Sequence, residues 1–189
     1  VIELSNQAPV IVFDVTPAMT PWSELVIPRT QHVVFNLTGT FDPEGDSLIC
    51  WIERSYQNDG VGQQSGCPTE VWINFSMAET VPSTFNLEIY AYDGINIPPS
   101  EYIIPVELYN EVPEPEFTLT RLGNASEDMV TLDGTSTIDP EGDTLEVEFW
   151  SSLDGQLSWN NTEAGKVWTG FLSRGIHSIE MRVVDDRPE

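Results

Sequence analysis

A five-residue acidic loop, Asp-Pro-Glu-Gly-Asp, occurs twice in this 189-residue chain and constrains its fold more than any other feature. The first copy occupies residues 42–46, and the second follows 97 residues later at 139–143. Proline presets φ for a turn, glycine permits positive φ, and aspartate side chains bond to neighbouring backbone amides, so each copy is a turn by local chemistry alone. Repetition at this spacing predicts two modules of about 100 residues each.

Two further pairs of segments support the repeat. Residues 87–93 and 179–185 alternate apolar and polar side chains as strands do, and both end in aspartate. Residues 1–9 and 105–113 each read as a short strand followed by Asn-x-x-Pro, and proline cannot continue a central ladder. We therefore predict a module boundary near Asn110, with three segments: 1–6 as the terminal strand of a preceding or neighbouring module, 7–110 as module 1, and 111–189 as module 2.

The pattern between these anchors predicts an all-β fold. Short apolar runs punctuated by Gly, Pro and Asp recur, and none shows sustained 3.6-residue periodicity. The predicted strands include residues 10–15, 33–37, 71–75, 117–119, 130–132 and 145–150. Such strands are typical of Greek-key β-sandwiches. In that fold Trp51 and Trp150, which follow the acidic loops, are predicted to be core residues, with a carbohydrate-binding platform as the alternative.

Module 2, divided in this way, is one strand short. Module 1 continues past its Asp93 into a final strand near residues 102–109, whereas only a few residues follow Asp186. The missing strand is expected either from a longer array of modules or from another copy of the chain. In the second case the segment Val1, Ile2, Glu3, Leu4 and Ser5 would be the donated strand, because an unpaired sheet edge is a template for strand addition.

Charge excludes one class of partner. The chain has 31 Asp and Glu against seven Lys and Arg, a formal net charge of -24, and its only Lys is Lys166. Nucleic acid binding needs clustered Lys and Arg, so we exclude it. The carboxylates either solubilise the surface or are partly neutralised by bound cations. No run of 18 apolar residues occurs, so we predict no membrane span in this chain.

Cysteines and sequons predict export to the extracellular space or the cell surface. Cys50 and Cys67 are 17 positions apart with turn residues between them, which predicts one disulfide closing a hairpin loop; two buried free thiols are the alternative. Four glycosylation sequons begin at Asn36, Asn74, Asn124 and Asn160. Together they favour an exported glycoprotein.

Module 2 resembles polycystic-kidney-disease (PKD) repeats and bacterial or archaeal immunoglobulin-like repeats. Three segments carry the resemblance: the acidic loop 139–143, Phe-Trp-Ser-Ser-Leu-Asp-Gly at 149–155, and residues 175–186. Module 1 departs from the pattern by its longer start, its cysteine loop and the absence of Asp-Gly after Trp51. The Asn-x-x-Pro segments are similar to those of cadherin-like arrays. The resemblance implies tandem immunoglobulin-like β-sandwiches in surface proteins, commonly spacers, adhesive stalks or assembly subunits, with no single activity.

Calcium is the cofactor that the acidic loops favour. In such a sandwich the loops after the second and sixth strands lie at one pole, where the first strand enters. Oxygen ligands from several loops are what calcium requires, and a bound cation would stiffen the joint between modules. The predicted ligands are Asn6, Asp42, Glu44, Asp46 and Asp93 in module 1, and Asn110, Asp139, Glu141, Asp143, Asp185 and Asp186 in module 2. The alternative is a plain turn without metal.

No catalytic residues are predicted, and we predict that the chain is not an enzyme. His32 and His177 have no Ser or Cys motif beside them, and nothing selects one carboxylate pair for acid–base work. We expect an extracellular structural repeat protein that forms or extends a filament, stalk or layer, with other copies of itself or adjacent modules as partners. The alternatives are an adhesin or carbohydrate-binding module with glycan ligands, and an accessory domain of a secreted hydrolase.

Overall fold

The computed structural model describes residues 5–57, 60–75, 82–122, 129–160 and 166–185, which form fourteen strands and no α-helix. The prediction of an all-β fold is confirmed. The chain divides into two compact units, Val1–Tyr109 and Asn110–Glu189. The strands are β1 (Asp14–Thr16), β2 (Leu25–Pro28), β3 (Val33–Asn36), β4 (Ile49–Arg54), β5 (Gly60–Ser65), β6 (Val71–Ile73), β7 (Thr84–Tyr92), β8 (Ser100–Tyr109), β9 (Thr118–Leu122), β10 (Met129–Asp133), β11 (Leu145–Ser151), β12 (Gly155–Asn160), β13 (Val167–Phe171) and β14 (Ile179–Asp185).

Unit 1 is a sandwich of two sheets. One sheet has the order β1-β3-β6, and the other has the order β2-β8-β7-β4-β5. All of these strand pairs are antiparallel except β2 with β8, which is parallel. Strands that are distant in sequence lie side by side, as β4 does with β7, which is the connectivity of a Greek key.

The core of unit 1 follows from two-residue alternation. In β7 the side chains of Phe85, Leu87, Ile89 and Ala91 are buried, and the residues between them are more exposed. Phe35 on β3 packs into the same cluster from the other sheet. Burial of each such side chain contributes about 1.5–3 kcal/mol.

The predicted disulfide between Cys50 and Cys67 is present in unit 1. Cys50 is buried in β4, and Cys67 lies just beyond β5, so the bond joins the two ends of the β4–β5 hairpin. The described residues contain no free cysteine.

Unit 2 has two three-stranded sheets with the orders β13-β10-β9 and β12-β11-β14. Its smaller core contains Leu132, Leu145, Val147 and Phe149, with the ring of Phe117 5.7 Å from that of Phe149. Among the described strands, β14 pairs only with β11.

One edge of β14 has no partner among the described strands, and the side chains of β14 are correspondingly less buried. Its inward side chains Ile179, Met181 and Val183 are only partly buried. The corresponding side chains of β7 are fully buried because β8 lies beside them with its own buried residues, Ile104 and Val106.

The prediction that Trp51 and Trp150 are core residues is wrong. In β4 the inward positions belong to Cys50 and Ile52, and Trp51 lies on the outer face, where its ring is stacked 5.1 Å from that of Tyr90. In β11 the inward position is filled by Phe149, and Trp150 lies outside with the guanidinium of Arg182 5.0 Å from its ring. Successive side chains of a strand point to opposite faces, and the apolar neighbours of each tryptophan point into the core. Both indoles therefore lie on the outer face.

No helix in the described part of the chain is long and apolar enough to cross a membrane.

Candidate cation site in the acidic loops

The two acidic loops adopt the same hydrogen-bonded turn. In each, the first aspartate uses its Oδ1 atom to accept two backbone N–H groups, at 2.9 and 3.1 Å in unit 1 and at 2.9 and 3.0 Å in unit 2. The loop glycines, Gly45 and Gly142, have φ of 84° and 77°, a region open to glycine at little cost. The donors are Glu44 and Asp46 to Asp42, and Glu141 and Asp143 to Asp139.

Each loop is also attached to the chain segment that enters its unit. The Thr40 hydroxyl accepts from the Val12 N–H at 3.1 Å and donates to the Val12 carbonyl at 2.9 Å. Thr137 makes the same pair of contacts with Glu116, at 3.2 and 2.9 Å. Entering segment and acidic loop are therefore held together before any ligand is considered.

In unit 1 amide donors fully satisfy the carboxylate of Asp93. Its Oδ1 accepts the N–H groups of Ile95 and Asn96 at 2.7 and 2.8 Å, and its Oδ2 accepts the side-chain amides of Asn96 and Asn6 at 2.6 and 2.9 Å. Burial by itself would raise the pKa of Asp93, but these hydrogen bonds outweigh it and lower the pKa to about 2.

Amides also occupy the acidic loop of unit 1. The Gln7 side chain donates to Glu44 Oε1 at 2.7 Å, and the Gln7 backbone donates to Glu44 Oε2 at 3.2 Å. The Asp46 side chain is exposed, and only its N–H takes part in the loop. One acceptor is left over, Asp42 Oδ2, which is buried without a hydrogen-bond partner in a residue that is 7% exposed.

Unit 2 contains more acceptors than donors at the equivalent place. The Asn110 side-chain amide donates to Asp185 Oδ2 at 3.1 Å, and the Glu111 N–H donates to Glu141 Oε1 at 3.2 Å. The oxygen atoms that are buried there without a hydrogen-bond partner include Asn110 Oδ1, Asp139 Oδ2 and Glu141 Oε2. Buried acceptors without a partner cost about 1–3 kcal/mol each, and a further proton or a bound cation would lower that cost.

Glu141 carries the electrostatic strain of this cluster. It is only 3% exposed. Burial raises its pKa, and the neighbouring carboxylates of Asp139 and Glu111 raise it further, although the Glu111 N–H opposes the shift. A protonated Glu141 or a bound cation would each relieve the repulsion.

One position explains most of the difference between the units. Gln7 follows Asn6 in unit 1, and Glu111 follows Asn110 in unit 2. Gln7 supplies a side-chain amide to the acidic loop, whereas Glu111 brings a carboxylate and donates its backbone N–H to Glu141. In unit 1, side-chain amides donate to Glu44 and Asp93, whereas unit 2 has more acceptor oxygens than donors. Asp186, predicted as a further ligand, lies outside the described residues.

The oxygen set suits calcium in its chemistry but is not a finished carboxylate cage. Within the described ranges, no three Asp, Glu, His or Cys side chains are placed to hold a metal. A cation in unit 2 would therefore need the amide oxygen of Asn110 beside Asp139 and Glu141. Calcium accepts such mixed oxygen sets, so the calcium site stays a prediction, with unit 2 as the better candidate.

The predicted glycosylation sites fall in different settings. Asn36 is half-buried, and its Oδ1 accepts the N–H and hydroxyl of Thr38 at 3.0 and 2.7 Å. Asp133 makes the same contacts with Thr135, at 3.0 and 2.7 Å, so turn chemistry alone accounts for the Asn36 motif. Asn74 is exposed. Outside the described set lie Asn124, the side chain of Asn160, and Val1, Ile2, Glu3 and Leu4 of the predicted assembly strand, of which only the exposed Ser5 is described.

One side-chain network was missed by the sequence analysis. The ring atom Nδ1 of His177 lies 2.7 Å from Ser151 Oγ and 3.7 Å from Asp154 Oδ2, while Nε2 lies 2.8 Å from the Ser173 carbonyl. Ser151 is buried, and its hydroxyl oxygen also accepts the N–H groups of Leu153 and Asp154. Serine and aspartate approach the same ring nitrogen, so the arrangement braces the β11–β12 turn and lacks the relay of a catalytic triad.

No family model matches the sequence, and no curated protein matches it. Solved structures similar to the chain are fibronectin(III)-like modules of Clostridium thermocellum CbhA (14% identity, TM-score 0.38, 93% of this chain and 86% of that chain). Drosophila N-cadherin EC1-4 is also similar, with 12% identity and a TM-score of 0.43 over 95% of this chain and 49% of that chain. Human protocadherin-24 EC1-2 has 12% identity and a TM-score of 0.40 over 95% of both chains. These similarities concern the β-sandwich fold alone.

The raised pKa of Glu141 predicts an unusual pH dependence. The folded unit takes up a proton more readily than the unfolded chain, whose Glu pKa is about 4.3. In calcium-free buffer the Glu141 contribution to the free energy of unfolding should therefore be fully present below the unfolded pKa of about 4.3 and be lost as pH rises through the folded pKa. Urea unfolding at a series of pH values should show this contribution in the wild type and not in Glu141→Gln.

The matched control for that experiment is the exposed Glu116→Gln, which should keep the wild-type pH profile. A wild-type profile that coincides with that of Glu141→Gln at every pH would contradict the account of Glu141.

Proposed function

We propose that the chain is a structural segment of an extracellular surface protein, in which PKD-like β-sandwich modules in tandem form or extend a filament, stalk or layer. The observation that carries the proposal is the acidic cluster of unit 2, whose buried oxygens a cation from the extracellular medium would neutralise. The disulfide in unit 1 supports export, because such bonds persist in oxidising compartments.

Calcium is the cation that fits this proposal. Glu141 and Asp139 provide hard anionic oxygens, and Asn110 provides a neutral one. Asn110 is the first residue after β8 in the sequence. A cation that binds Asn110 together with the acidic loop would therefore fix the start of unit 2 to its pole and limit the freedom of the chain that leads into it.

Calorimetric titration with calcium tests the proposed function. We expect one calcium site, in unit 2. Glu141→Gln should abolish calcium binding, and Glu116→Gln should leave it unchanged. Calcium at a hundredfold excess over the dissociation constant should stabilise unit 2 by about 2.7 kcal/mol. Amide exchange should report this protection in β10 and β11 and not in β3 and β4.

The idea fails if millimolar calcium gives no binding heat and a chelator leaves the exchange of unit 2 unchanged. Equal calcium protection of both units would contradict the distinction between them.

The open edge of β14 supports assembly through a shared strand. In unit 1, eight residues of the ten-residue strand β8, residues 100–107, pair with β7, with Asn86 opposite Pro105 and Thr84 opposite Glu107. Aligning Asp93 with Asp185 makes residues 176–178 of unit 2 equivalent to 84–86. The donated strand should therefore run from opposite residue 176 to opposite Val183 in β14.

Register limits what residues 1–5 can do. They correspond to residues 105–109, the second half of β8, of which 105–107 pair with 84–86. Residues 1–3 would therefore lie opposite 176–178, where Ile176 is 94% exposed. The half-buried Ile179, Met181 and Val183 would still need a counterpart of the first half of β8. We therefore propose that the completing strand is β8-like and about ten residues long, and that it comes from an adjacent module or a second copy.

Two synthetic peptides test this register. A peptide of residues 100–109 should protect the amides of β14 from exchange, and a peptide of residues 105–109 should protect them much less. The control is the ten-residue peptide with Ile104, Val106 and Leu108 replaced by Ser, which removes the apolar side chains that the core would take. No protection by either peptide would rule out a β8-like strand as the partner of β14.

A further inference from the structure

The five-stranded sheet of unit 1 has an outer face, formed by the side chains of β2, β4, β7 and β8 that point away from the core. The buried inward residues of these strands are apolar, whereas the outer face carries aromatic rings and carboxylates. Its polar, aromatic and proline residues include Trp51, Glu53, Asn86, Glu88, Tyr90, Glu101, Pro105 and Glu107.

A groove of about 300 Å³ crosses this outer face. It forms at Pro105, whose short side chain lies opposite Asn86 on β7 and beside Glu24, the residue before β2. Thr84 and Glu107 complete its polar lining. Its volume is at the lower end of the range of about 300–1,000 Å³ for small-molecule pockets.

An exposed tryptophan lies on the loop that leads into the groove. Trp22 is 83% exposed, two residues before Glu24. The loop is held by the N–H of Thr20 to the Glu24 carbonyl at 2.8 Å and by the N–H of Ser23 to the Thr20 carbonyl at 3.0 Å. Ser23 has φ of 63°, which non-glycine residues rarely adopt. The chain thus holds a large apolar side chain in water on an ordered loop.

Further along the same face lies an aromatic pair surrounded by carboxylates. The ring of Trp51 is stacked 5.1 Å from that of Tyr90, and the indole N–H donates to Glu53 at 2.7 Å. The Tyr90 hydroxyl lies 2.8 Å from Glu88 and 3.0 Å from Glu101. One hydroxyl proton can serve only one of these two carboxylates, so the face has more acceptors than donors.

The charge of the outer face selects the ligand. Five carboxylates lie on or beside it: Glu24, Glu53, Glu88, Glu101 and Glu107. None of its outward positions in β2, β4, β7 and β8, all of which the structure describes, is Lys or Arg. Such a face repels acidic glycans and attracts cations.

We propose that this outer face binds a polysaccharide of amino sugars with free ammonium groups. The ammonium groups would pair with the carboxylates and lie over the aromatic rings, where cation–π attraction adds about 0.5–1 kcal/mol at exposed sites. The apolar face of a sugar ring would stack on Trp22, and the groove would accept a neighbouring ring. A stiff glycan spans these points with less loss of conformational freedom than a flexible basic peptide. The proposal goes beyond the structural role and does not depend on the cation site.

The test compares two hexamers with the same backbone, glucosamine and N-acetylglucosamine, by calorimetry and amide chemical shifts at a pH at which the amines are charged. We expect binding of the glucosamine hexamer, at least tenfold weaker binding of the acetylated one, and shifts in β4, β7 and β8. Trp22→Ala and Glu107→Gln should each weaken binding by about threefold to tenfold. Trp72→Ala is the matched control, because Trp72 is 53% exposed on the other sheet, and it should bind as the wild type does.

Several results would overturn the proposal: no binding, equal affinity for both hexamers, or shifts confined to the acidic loops. A lysine hexamer that binds as tightly as the glucosamine hexamer would reduce the face to general attraction of cations and would overturn it as well. Since Trp22 and Glu107 are exposed, their replacement leaves the core intact, and the shift pattern of each variant verifies its fold.

Discussion

The second carboxylate oxygen of the loop aspartates is the constraint on which this molecule's chemistry depends. In Asp42 and Asp139, one carboxylate oxygen accepts hydrogen bonds from two backbone amides of the same loop, and the other oxygen is buried without a donor. The first oxygen closes the turn, and the second is buried in the same turn. Whatever neutralises the second oxygen therefore determines how stable the pole of each unit is.

The two units differ in what surrounds this oxygen. In unit 1, amides from Asn6, Gln7 and Asn96 bond the neighbouring carboxylates of Asp93 and Glu44, and the hydrogen bonds to Asp93 lower its pKa. In unit 2, Glu111 stands where unit 1 has Gln7, and the pKa of the buried Glu141 is raised. A loop of identical sequence therefore has more amide donors around it in unit 1 and more buried acceptor oxygens without a hydrogen-bond partner in unit 2. The neighbours of the motif, and not the motif, decide its role.

Much of this could be predicted from the sequence, because the signals are local. Alternation of apolar residues predicted β3, β6, β10 and β11 to within two residues at each end, and Asp-Pro-Glu-Gly-Asp predicted its own turn. The predicted strand over residues 10–15 was less accurate: β1 is only Asp14–Thr16, and Val10 makes a single bridge to Phe41. That segment bonds to the acidic loop instead of continuing a ladder, which no local pattern reveals.

Other features depend on contacts distant in sequence. Both tryptophans were predicted to be core residues because large aromatic side chains are usually buried. Side chains alternate between the two faces of a strand, however, and Trp51 lies on the same face of β4 as Glu53, which already indicated an outward position. The parallel pairing of β2 with β8 and the meeting of Ser151 with His177 join residues far apart in the chain. The contrast between Gln7 and Glu111 is visible in the sequence, but its meaning required knowing that both residues contact the acidic loops.

Reciprocal exchange at these two positions tests the central claim most directly. Calcium affinity would be measured by calorimetry in Glu111→Gln, in Gln7→Glu and in the double variant. If the neighbours of the loop decide its role, Glu111→Gln should weaken calcium binding in unit 2, Gln7→Glu should create binding in unit 1, and the double variant should move the site from one unit to the other. Calcium binding that is unchanged by both substitutions would contradict the account.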